Sequence, residues 1–199
     1  LERRAATLRF EPPAGAAWNV ATQLFPGADA RTFTAPNLQY LLDSPTEFSA
    51  FALRTFTVED GGRRPVFRVA LHHDGSDEEL SAYVRDTEAI VREMRDVFGE
   101  FPAFEHNTYT FIADYLPTAS GDGMEHRNST ILSSSGSLRA NRMGLLGTVS
   151  HEFFHAWNVE RIRPRSLEPF NFEDANMSGD LWLAEGVTSY YGPLIATRA

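Results

Sequence analysis

The sequence predicts an α+β chain in which a β-rich N-terminal part precedes a part with long helices. Up to about residue 76, short runs alternate apolar with polar residues or contain Phe, Val and Thr, a pattern typical of strands. From Asp77 onward, apolar residues recur at three- and four-residue steps, as they do on an amphipathic helix. We therefore predict a domain boundary near Ser76, with a β-rich domain over 1–76 and a second domain over 77–199.

Four strand-like runs lie in the first part, at residues 8–12, 31–36, 51–60 and 65–73. Turn-forming pairs separate them, namely Pro12-Pro13, Pro26-Gly27, Gly61-Gly62 and Asp74-Gly75. Residues 37–48 have no clear pattern, although a turn is expected at Asp43-Ser44-Pro45, because the residue before a proline is pushed out of the α region. This spacing predicts part of a sandwich or open sheet.

The second part alternates helices with extended segments. The first helix begins at Asp77 and ends at Gly99. A strand over 108–114, a loop over 120–123 and an extended segment over 129–133 follow. A second helix is predicted over 142–159 and a last helix over 181–197, with Asp180 as its N-cap.

Composition excludes several functional classes. The net charge of −9 argues against a nucleic-acid partner, because phosphates require a basic face. There is no Cys, and all 18 basic residues are Arg, so thiolate sites and lysine chemistry are excluded from this stretch. No apolar run approaches the roughly 20 residues of a membrane span, and the first residues lack the apolar core of a signal peptide. The sequence thus predicts a soluble chain of undetermined compartment.

The strongest local motif is His151-Glu152-Phe153-Phe154-His155, an HExxH within the second predicted helix. Helix positions four apart lie about 40° apart around the axis, so the two imidazoles can bind one ion. Glu152 then points beside that ion, toward a bound water. Two histidines with a carboxylate and one open position are typical of a catalytic zinc site. Zn²⁺ is therefore the expected cofactor.

A third zinc ligand is expected downstream of the motif. The acidic residues available there are Glu160, Glu168, Glu173, Asp174, Asp180 and Glu185. Glu185 is preferred because it lies on a predicted helix, and a ligand on a rigid element is held to tighter geometry. As outer hydrogen-bond partners of the ligands, Asn158 and Ser189 are within reach. His72, His73 and His106 are expected to be surface residues.

Two stretches resemble the glycyl aminopeptidase family of zinc metallopeptidases, residues 151–164 (HEFFHAWNVERIRP) and residues 182–191 (WLAEGVTSYY). Residues 37–45 and 121–130 agree with the same family. The resemblance implies a thermolysin-like catalytic domain of the gluzincin group after a β-rich N-terminal domain, and in many members a C-terminal PDZ domain. It implies zinc ligands at His151, His155 and Glu185, and a general base at Glu152.

The resemblance also bears on the extent of the chain. It implies that the chain holds part of the N-terminal domain and only the N-terminal half of the thermolysin-like domain. The residue that stabilises the oxyanion is then expected beyond residue 199. We therefore expect a fragment of a longer protein, which binds zinc but has feeble turnover by itself.

The segment Gly123-Met124-Glu125 resembles the substrate-binding strand of related gluzincin aminopeptidases. In those enzymes the strand pairs with the peptide and the glutamate binds the free α-ammonium. The resemblance therefore implies a peptide substrate with a free N-terminus, whose first residue is Gly or Ala. The match is partial, because His126 stands where the pattern has Asn.

Two other functions remain open from the residues. A thermolysin-like endopeptidase would cleave peptides with a blocked N-terminus. A zinc-binding interaction module would take up metal and bind peptides without turnover. The intact HExxH argues against the module, because a non-catalytic site has no chemical need for Glu152.

Overall fold

The protein folds into three β-sheets and a set of helices, as seen in a computed structural model that describes residues 2–168 and 170–199. The strands are β1 (Ala6–Arg9), β2 (Asn19–Thr22), β3 (Phe25–Pro26), β4 (Thr32–Ala35), β5 (Thr46–Ser49), β6 (Ala52–Thr57), β7 (Val66–His73), β8 (Thr108–Tyr115), β9 (Asp122–His126) and β10 (Ser129–Ser134). The helices are α1 (Leu38–Leu42), α2 (Asp77–Phe98), α3 (Arg142–Phe154) and α4 (Val187–Arg198). The α+β prediction with a β-rich N-terminal region is confirmed.

The first fifty residues form two small antiparallel sheets. One has the order β1-β4-β3, and the other is a two-stranded ribbon of β2 and β5. A small cluster of buried side chains, Leu24, Ala35 and Tyr40, joins the first sheet to α1. The ribbon and α1 lie in segments for which the sequence predicted no strand or helix. The two strands of the ribbon, β2 and β5, are distant in the chain, so their pairing leaves little local periodicity in the sequence.

The main sheet has five strands in the order β6-β7-β8-β10-β9. Its three central strands are parallel, whereas β6 and β9 pair antiparallel at the two edges. Strands β6 and β7 precede the boundary predicted near Ser76, and the other three strands follow it. The sheet therefore continues across residue 76, where α2 connects β7 to β8.

Helix α2 has strong local signals at both ends. Ser76 and Glu79 form a reciprocal capping box, and Gly99 ends the helix at φ 84°, a left-handed conformation that glycine adopts without strain. These signals explain why its bounds were predicted within one residue. None of the helices in the described ranges has the length and apolar character that crossing a membrane requires.

The main core lies between the five-stranded sheet and the helices α2, α3 and α4. Phe153 is fully buried there and packs against the rings of Phe67, Tyr109 and Phe111 from the sheet. Because residue 153 lies within the HExxH motif, this aromatic packing fixes the rotation of α3. The preceding residue, Glu152, is thereby placed against β9 at Gly123.

Helix α3 ends earlier than the sequence predicted. It stops at Phe154, not at residue 159, and His155 is its C-terminal cap. The chain then continues through irregular turns up to residue 162, held by backbone bonds such as Glu160 N to His155 O at 3.0 Å. The physical reason is that Asn158 makes its hydrogen bonds with the segment before α4, which a continued helix would prevent.

Candidate metal centre and active site

Three side chains able to bind a metal meet between the end of α3 and the start of α4. His151 lies on the last turn of α3, His155 caps it, and Glu185 lies in a wide π-helical turn, Trp182–Gly186, that leads into α4. Nε2 of His151 is 3.3 Å from Oε2 of Glu185. Nε2 of His155 is 3.7 Å from Oε1 of the same carboxylate. The structure thus brings together the three residues that the sequence singled out.

The spacing of these atoms suits a zinc ion. Zinc binds imidazole nitrogen and carboxylate oxygen at about 2.1 Å, so ligands at tetrahedral corners lie about 3.4 Å apart. The separations of 3.3 and 3.7 Å are close to that value. His155 is 1% exposed, whereas the side chain of Glu185 is 46% exposed, so the group opens to solvent on the Glu185 side. Two histidines and one carboxylate leave a fourth corner for water or substrate.

A backbone hydrogen bond fixes the orientation of His155. Its Nδ1 donates to the carbonyl oxygen of Asn158 at 2.7 Å. Because a carbonyl can only accept, the proton is on Nδ1 and the lone pair of Nε2 faces Glu185. At His151, burial and the neighbouring His155 lower the pKa, which favours the neutral imidazole that a metal requires.

Asn158 also connects the two segments that carry the metal-binding side chains. Its buried side-chain amide donates to the carbonyl oxygens of Leu183 at 2.8 Å and Ala184 at 3.1 Å. The amide also lies 3.2 Å from the hydroxyl of Thr188, which itself donates to Ala184 O. Since Glu185 directly follows Ala184, Asn158 and Thr188 hold the Glu185 carboxylate in place relative to the two histidines.

Sequence reasoning found one of these two supporting residues. Asn158 was expected to bond with one of the predicted ligands, and its carbonyl oxygen accepts from Nδ1 of His155. Ser189, expected beside it, is exposed, whereas its neighbour Thr188 is fully buried. The signal that identifies Thr188 is its spacing: it follows Glu185 by three residues and so lies on the same helix face.

Glu152 lies buried beside the three metal-binding side chains. It is 6% exposed. Burial raises the pKa of its carboxyl to about 8, and the negative charges of Glu125, Glu185 and Asp122 add to the shift. An oxygen of Glu152 and one of Glu125 lie within 4.8 Å of a ring nitrogen of His155. A carboxyl with a raised pKa beside a possible metal site suits proton transfer.

Gly123 allows strand β9 to pass directly over Glu152. A Cβ at this position would lie 2.7 Å from Cδ of Glu152 and 2.8 Å from Cγ2 of Thr148, closer than real Cβ atoms come to other atoms. Only glycine therefore fits without displacing the carboxylate. The close approach sets β9 alongside the metal-binding group.

Strand β9 lies at the edge of the sheet, and no described strand pairs with its outer side. It pairs with β10 through the register Met124 to Ile131 and Glu125 to Thr130. Met124 is 52% exposed, whereas Glu125 is partly buried. An edge strand can accept an extended peptide as an additional strand. The three residues predicted to bind substrate thus lie on an edge beside the metal-binding group.

His126, which follows Glu125, contacts the N-terminal part of the chain. Its Nδ1 is 3.2 Å from Oδ1 of Asp43, the C-terminal cap of α1. The same carboxylate oxygen accepts a hydrogen bond from the backbone N–H of Arg127 at 3.3 Å. The departure from the family pattern at His126 therefore anchors β9 to the N-terminal part.

A cavity of about 390 Å³ adjoins Glu125 and Glu185. Leu42 lines it from the N-terminal part and Met124 from β9, and Glu160 lies on its wall. Burial, together with the charge of Asp43, raises the pKa of Glu160 to about 6, although Arg163 lies 3.1 Å away. The cavity is thus mainly apolar, with acidic groups along its wall.

Solved structures similar to this chain are zinc peptidases and an aminopeptidase relative. An aminopeptidase N family protein from Idiomarina loihiensis aligns with a TM-score of 0.76 at 25% identity, over 98% of this chain and 34% of its own. An M1 zinc metallopeptidase from Deinococcus radiodurans aligns with a TM-score of 0.52 at 17% identity, over 98% of this chain and 39% of its own.

A mutant of a two-domain M1 zinc metallopeptidase, solved with bound L-arginine, aligns with a TM-score of 0.53 at 17% identity, over 98% of this chain and 40% of its own. At 17% identity the likeness concerns the fold alone. The chain spans between a third and two fifths of the length of these three structures. Among curated protein sequences, no significant match was found.

Two family models match the sequence itself. The M61 N-terminal domain matches residues 1–50 and ends just before β6, the first strand of the five-stranded sheet. The M61 glycyl aminopeptidase model matches residues 144–199, which include the HExxH motif and Glu185. The two matches lie in the order expected for one protein, and the chain therefore belongs to the M61 glycyl aminopeptidase family.

Proposed function

We propose that the complete protein is a zinc-dependent aminopeptidase whose site includes the residues described above. The observation that carries the proposal is the convergence of His151, His155 and Glu185, whose metal-binding atoms all lie within 4.8 Å of one another. Family membership supports a peptidase, and similar folds occur in zinc metallopeptidases. Zinc bound by these three side chains would polarise the scissile carbonyl and lower the pKa of a water molecule.

In this proposal Glu152 is the general base. Its carboxylate accepts a proton from the attacking water and then donates that proton to the leaving amine nitrogen. Its burial against Gly123 supports the role, because the carboxylate has little freedom to turn away from the metal-binding group. Asn158 and Thr188 would keep the side chains of Glu185 and His155 in fixed positions relative to each other during turnover.

Strand β9 and Glu125 would select the N-terminus of the substrate. A peptide added to the free edge of β9 runs past Glu152, and the Glu125 carboxylate pairs with its α-ammonium. An oxygen of Glu125 lies within 4.8 Å of an oxygen of Glu152, so the carboxylate that pairs with the ammonium lies next to the proposed base. This arrangement favours removal of single N-terminal residues. The family's preference implies small ones such as Gly and Ala.

The Glu152→Gln variant of the complete protein tests the role of the base. We expect it to keep its zinc, measured by metal analysis, and to lose more than 10²-fold in kcat, because proton transfer contributes about that much or more. Glu173→Gln, an exposed carboxylate outside the site, is the matched control and should retain full activity. Near-wild-type turnover by Glu152→Gln would exclude this assignment.

A pair of substrates separates the aminopeptidase from its alternatives. We expect a peptide with a free N-terminus to be cleaved and its N-acetylated form to be resistant, with Glu125→Gln raising KM for the free peptide. Equal cleavage of both forms would indicate an endopeptidase. Binding of zinc and peptide without any cleavage would indicate an interaction module.

A further inference from the structure

A second group of metal-binding side chains lies on the opposite face of the five-stranded sheet. His72 on β7 and Asp114 on β8 are partners in the parallel register, so they point to the same face. Their neighbours Leu71 and Ala113 point to the other face and are part of the main core under the helices. Glu47, on the ribbon strand β5, lies close to His72 and Asp114 on this face.

The distances within this group suit a bound ion. Nδ1 of His72 is 3.0 Å from Oδ1 of Asp114 and 3.9 Å from Oε1 of Glu47, and all three metal-binding atoms lie within 4.8 Å of one another. An ion with bonds of about 2.1 Å separates its ligands by about 3.0 Å in an octahedron and about 3.4 Å in a tetrahedron. The group therefore requires only a small movement of Glu47 to surround an ion.

The charge balance of the group also favours a cation. Glu47 is 8% exposed. Over the described ranges, neither its carboxylate nor that of Asp114 has an arginine nitrogen within 4.0 Å, and His72 is the basic group in contact with both. A single imidazole carries at most one positive charge, so with both carboxylates ionised the group keeps a net negative charge that a bound cation would offset.

A buried hydroxyl beside Glu47 forms no hydrogen bond of good geometry within the described part of the chain. Ser49 is 6% exposed, and its hydroxyl is directed at the Glu47 carboxylate. Residues two apart in a strand face the same side, so Ser49 points to the same side of β5 as Glu47. A buried polar oxygen without a well-formed hydrogen bond is destabilising. A bound ion or its water would complete the bonding of this hydroxyl.

We infer that Glu47, His72 and Asp114 form a second cation site, which binds a divalent first-row transition ion and links the ribbon to the five-stranded sheet. The imidazole nitrogen favours a transition ion such as zinc over calcium and magnesium, which prefer oxygen ligands. The side chains of His72 and Asp114 are 36% and 38% exposed, so the remaining coordination positions face water. The inference stands independently of the proposed peptidase activity.

Zinc stoichiometry of the complete protein tests the inference. After dialysis against Zn²⁺, we expect two zinc ions per chain, and one in either Glu47→Gln or His155→Ala. His73→Ala is the matched control: His73 adjoins His72 but uses its own Nδ1 to accept from Gly75 N–H at 3.0 Å. This control should retain two ions. A single zinc in the wild type, lost in His155→Ala and kept in Glu47→Gln, would overturn the inference.

Thermal unfolding supplies a second readout that does not involve the first site. In the His155→Ala variant, added Zn²⁺ or Mn²⁺ should raise the unfolding midpoint, because an ion that binds only the folded state stabilises it. The same addition to His155→Ala combined with Glu47→Gln should leave the midpoint unchanged. If neither ion shifts the midpoint of His155→Ala, the carboxylates share a proton without a cation and the inference is wrong.

Discussion

Replacing Asn158 by alanine is expected to weaken zinc binding although Asn158 provides no zinc ligand. The substitution removes the amide that bonds to the carbonyl oxygens of Leu183 and Ala184 at 2.8 and 3.1 Å. It leaves intact the backbone carbonyl that accepts from His155. The variant therefore changes the position of Glu185 while the orientation of the histidine is conserved.

The magnitude follows from two separate effects. Loss of an outer hydrogen-bond partner typically weakens metal affinity 10- to 100-fold, which is about 1.4–2.7 kcal/mol. The carbonyl of Leu183 also loses its side-chain donor, at about 1–3 kcal/mol for folding, whereas the carbonyl of Ala184 keeps the hydroxyl of Thr188 as a donor. Thr188→Val keeps the shape of its side chain and removes one hydroxyl bond, so we expect about a 10-fold loss of zinc affinity. Thr188→Ser keeps the hydroxyl and should bind zinc as the wild type does.

The assay is competition for zinc between the complete protein and a chromophoric chelator, with unfolding by denaturant measured on the same apo samples. Ser189→Ala is the control, because that serine is exposed and adjacent to Thr188. If Asn158→Ala loses stability but keeps wild-type zinc affinity, Asn158 supports only the fold. That result would refute the reasoning that it positions Glu185.

Three further predictions concern the site and its support. Gly123→Ala should lower kcat at least 10-fold and leave the zinc content unchanged, because the added Cβ displaces Glu152. Steady-state kinetics and metal analysis measure the two effects. An unaltered kcat would mean that β9 moves freely. Phe153→Ala should cost about 3–5 kcal/mol in unfolding free energy, measured by denaturant titration, because the ring is fully buried among aromatic residues; a cost below 1 kcal/mol would contradict that packing. Burial raises the pKa of Glu160 in the folded protein to about 6, above the ordinary value of 4.5. Between these two pH values the folded state binds a proton that the unfolded state has released. The stability that this proton provides is therefore lost as the pH rises from 4.5 to above 6. Glu160→Gln should lack this loss of about 2 kcal/mol, and parallel pH profiles of the two proteins would contradict the shift.

The elements predicted best from the sequence are those whose signals are local. Helix α2 carries its capping box, its apolar periodicity and its terminal glycine within its own residues. The HExxH spacing likewise determines that His151 and His155 point to one side of α3. These features depend on neighbours only a few residues away, so a single sequence is enough to predict them.

The features that the sequence did not reveal depend on contacts between distant segments. Helix α3 ends at Phe154 because Asn158 bonds with residues 183 and 184. The ribbon of β2 and β5 gains its packing from contact with the main sheet, where Ala21 and Phe51 meet Ala70. His72 was expected to be a surface residue, but in the structure it contacts two carboxylates from other strands. Each of these outcomes requires a partner that local periodicity does not identify.

The division of the chain into domains illustrates the same point. The sequence does change from a strand pattern to a helix pattern near Ser76. This change marks the start of α2, which connects two strands of the same sheet, β7 and β8. The M61 N-terminal domain match ends at residue 50, before the five-stranded sheet begins at Ala52. A change of secondary structure is a local property, whereas the extent of a sheet depends on which strands pair.

The central claim is that His151, His155 and Glu185 bind one zinc ion. Anomalous scattering recorded on both sides of the zinc absorption edge, from crystals of the complete protein, tests it most directly. The account predicts a zinc peak about 2.1 Å from Nε2 of both histidines and from a carboxylate oxygen of Glu185. A zinc-loaded, active protein without a peak at these three atoms would contradict it.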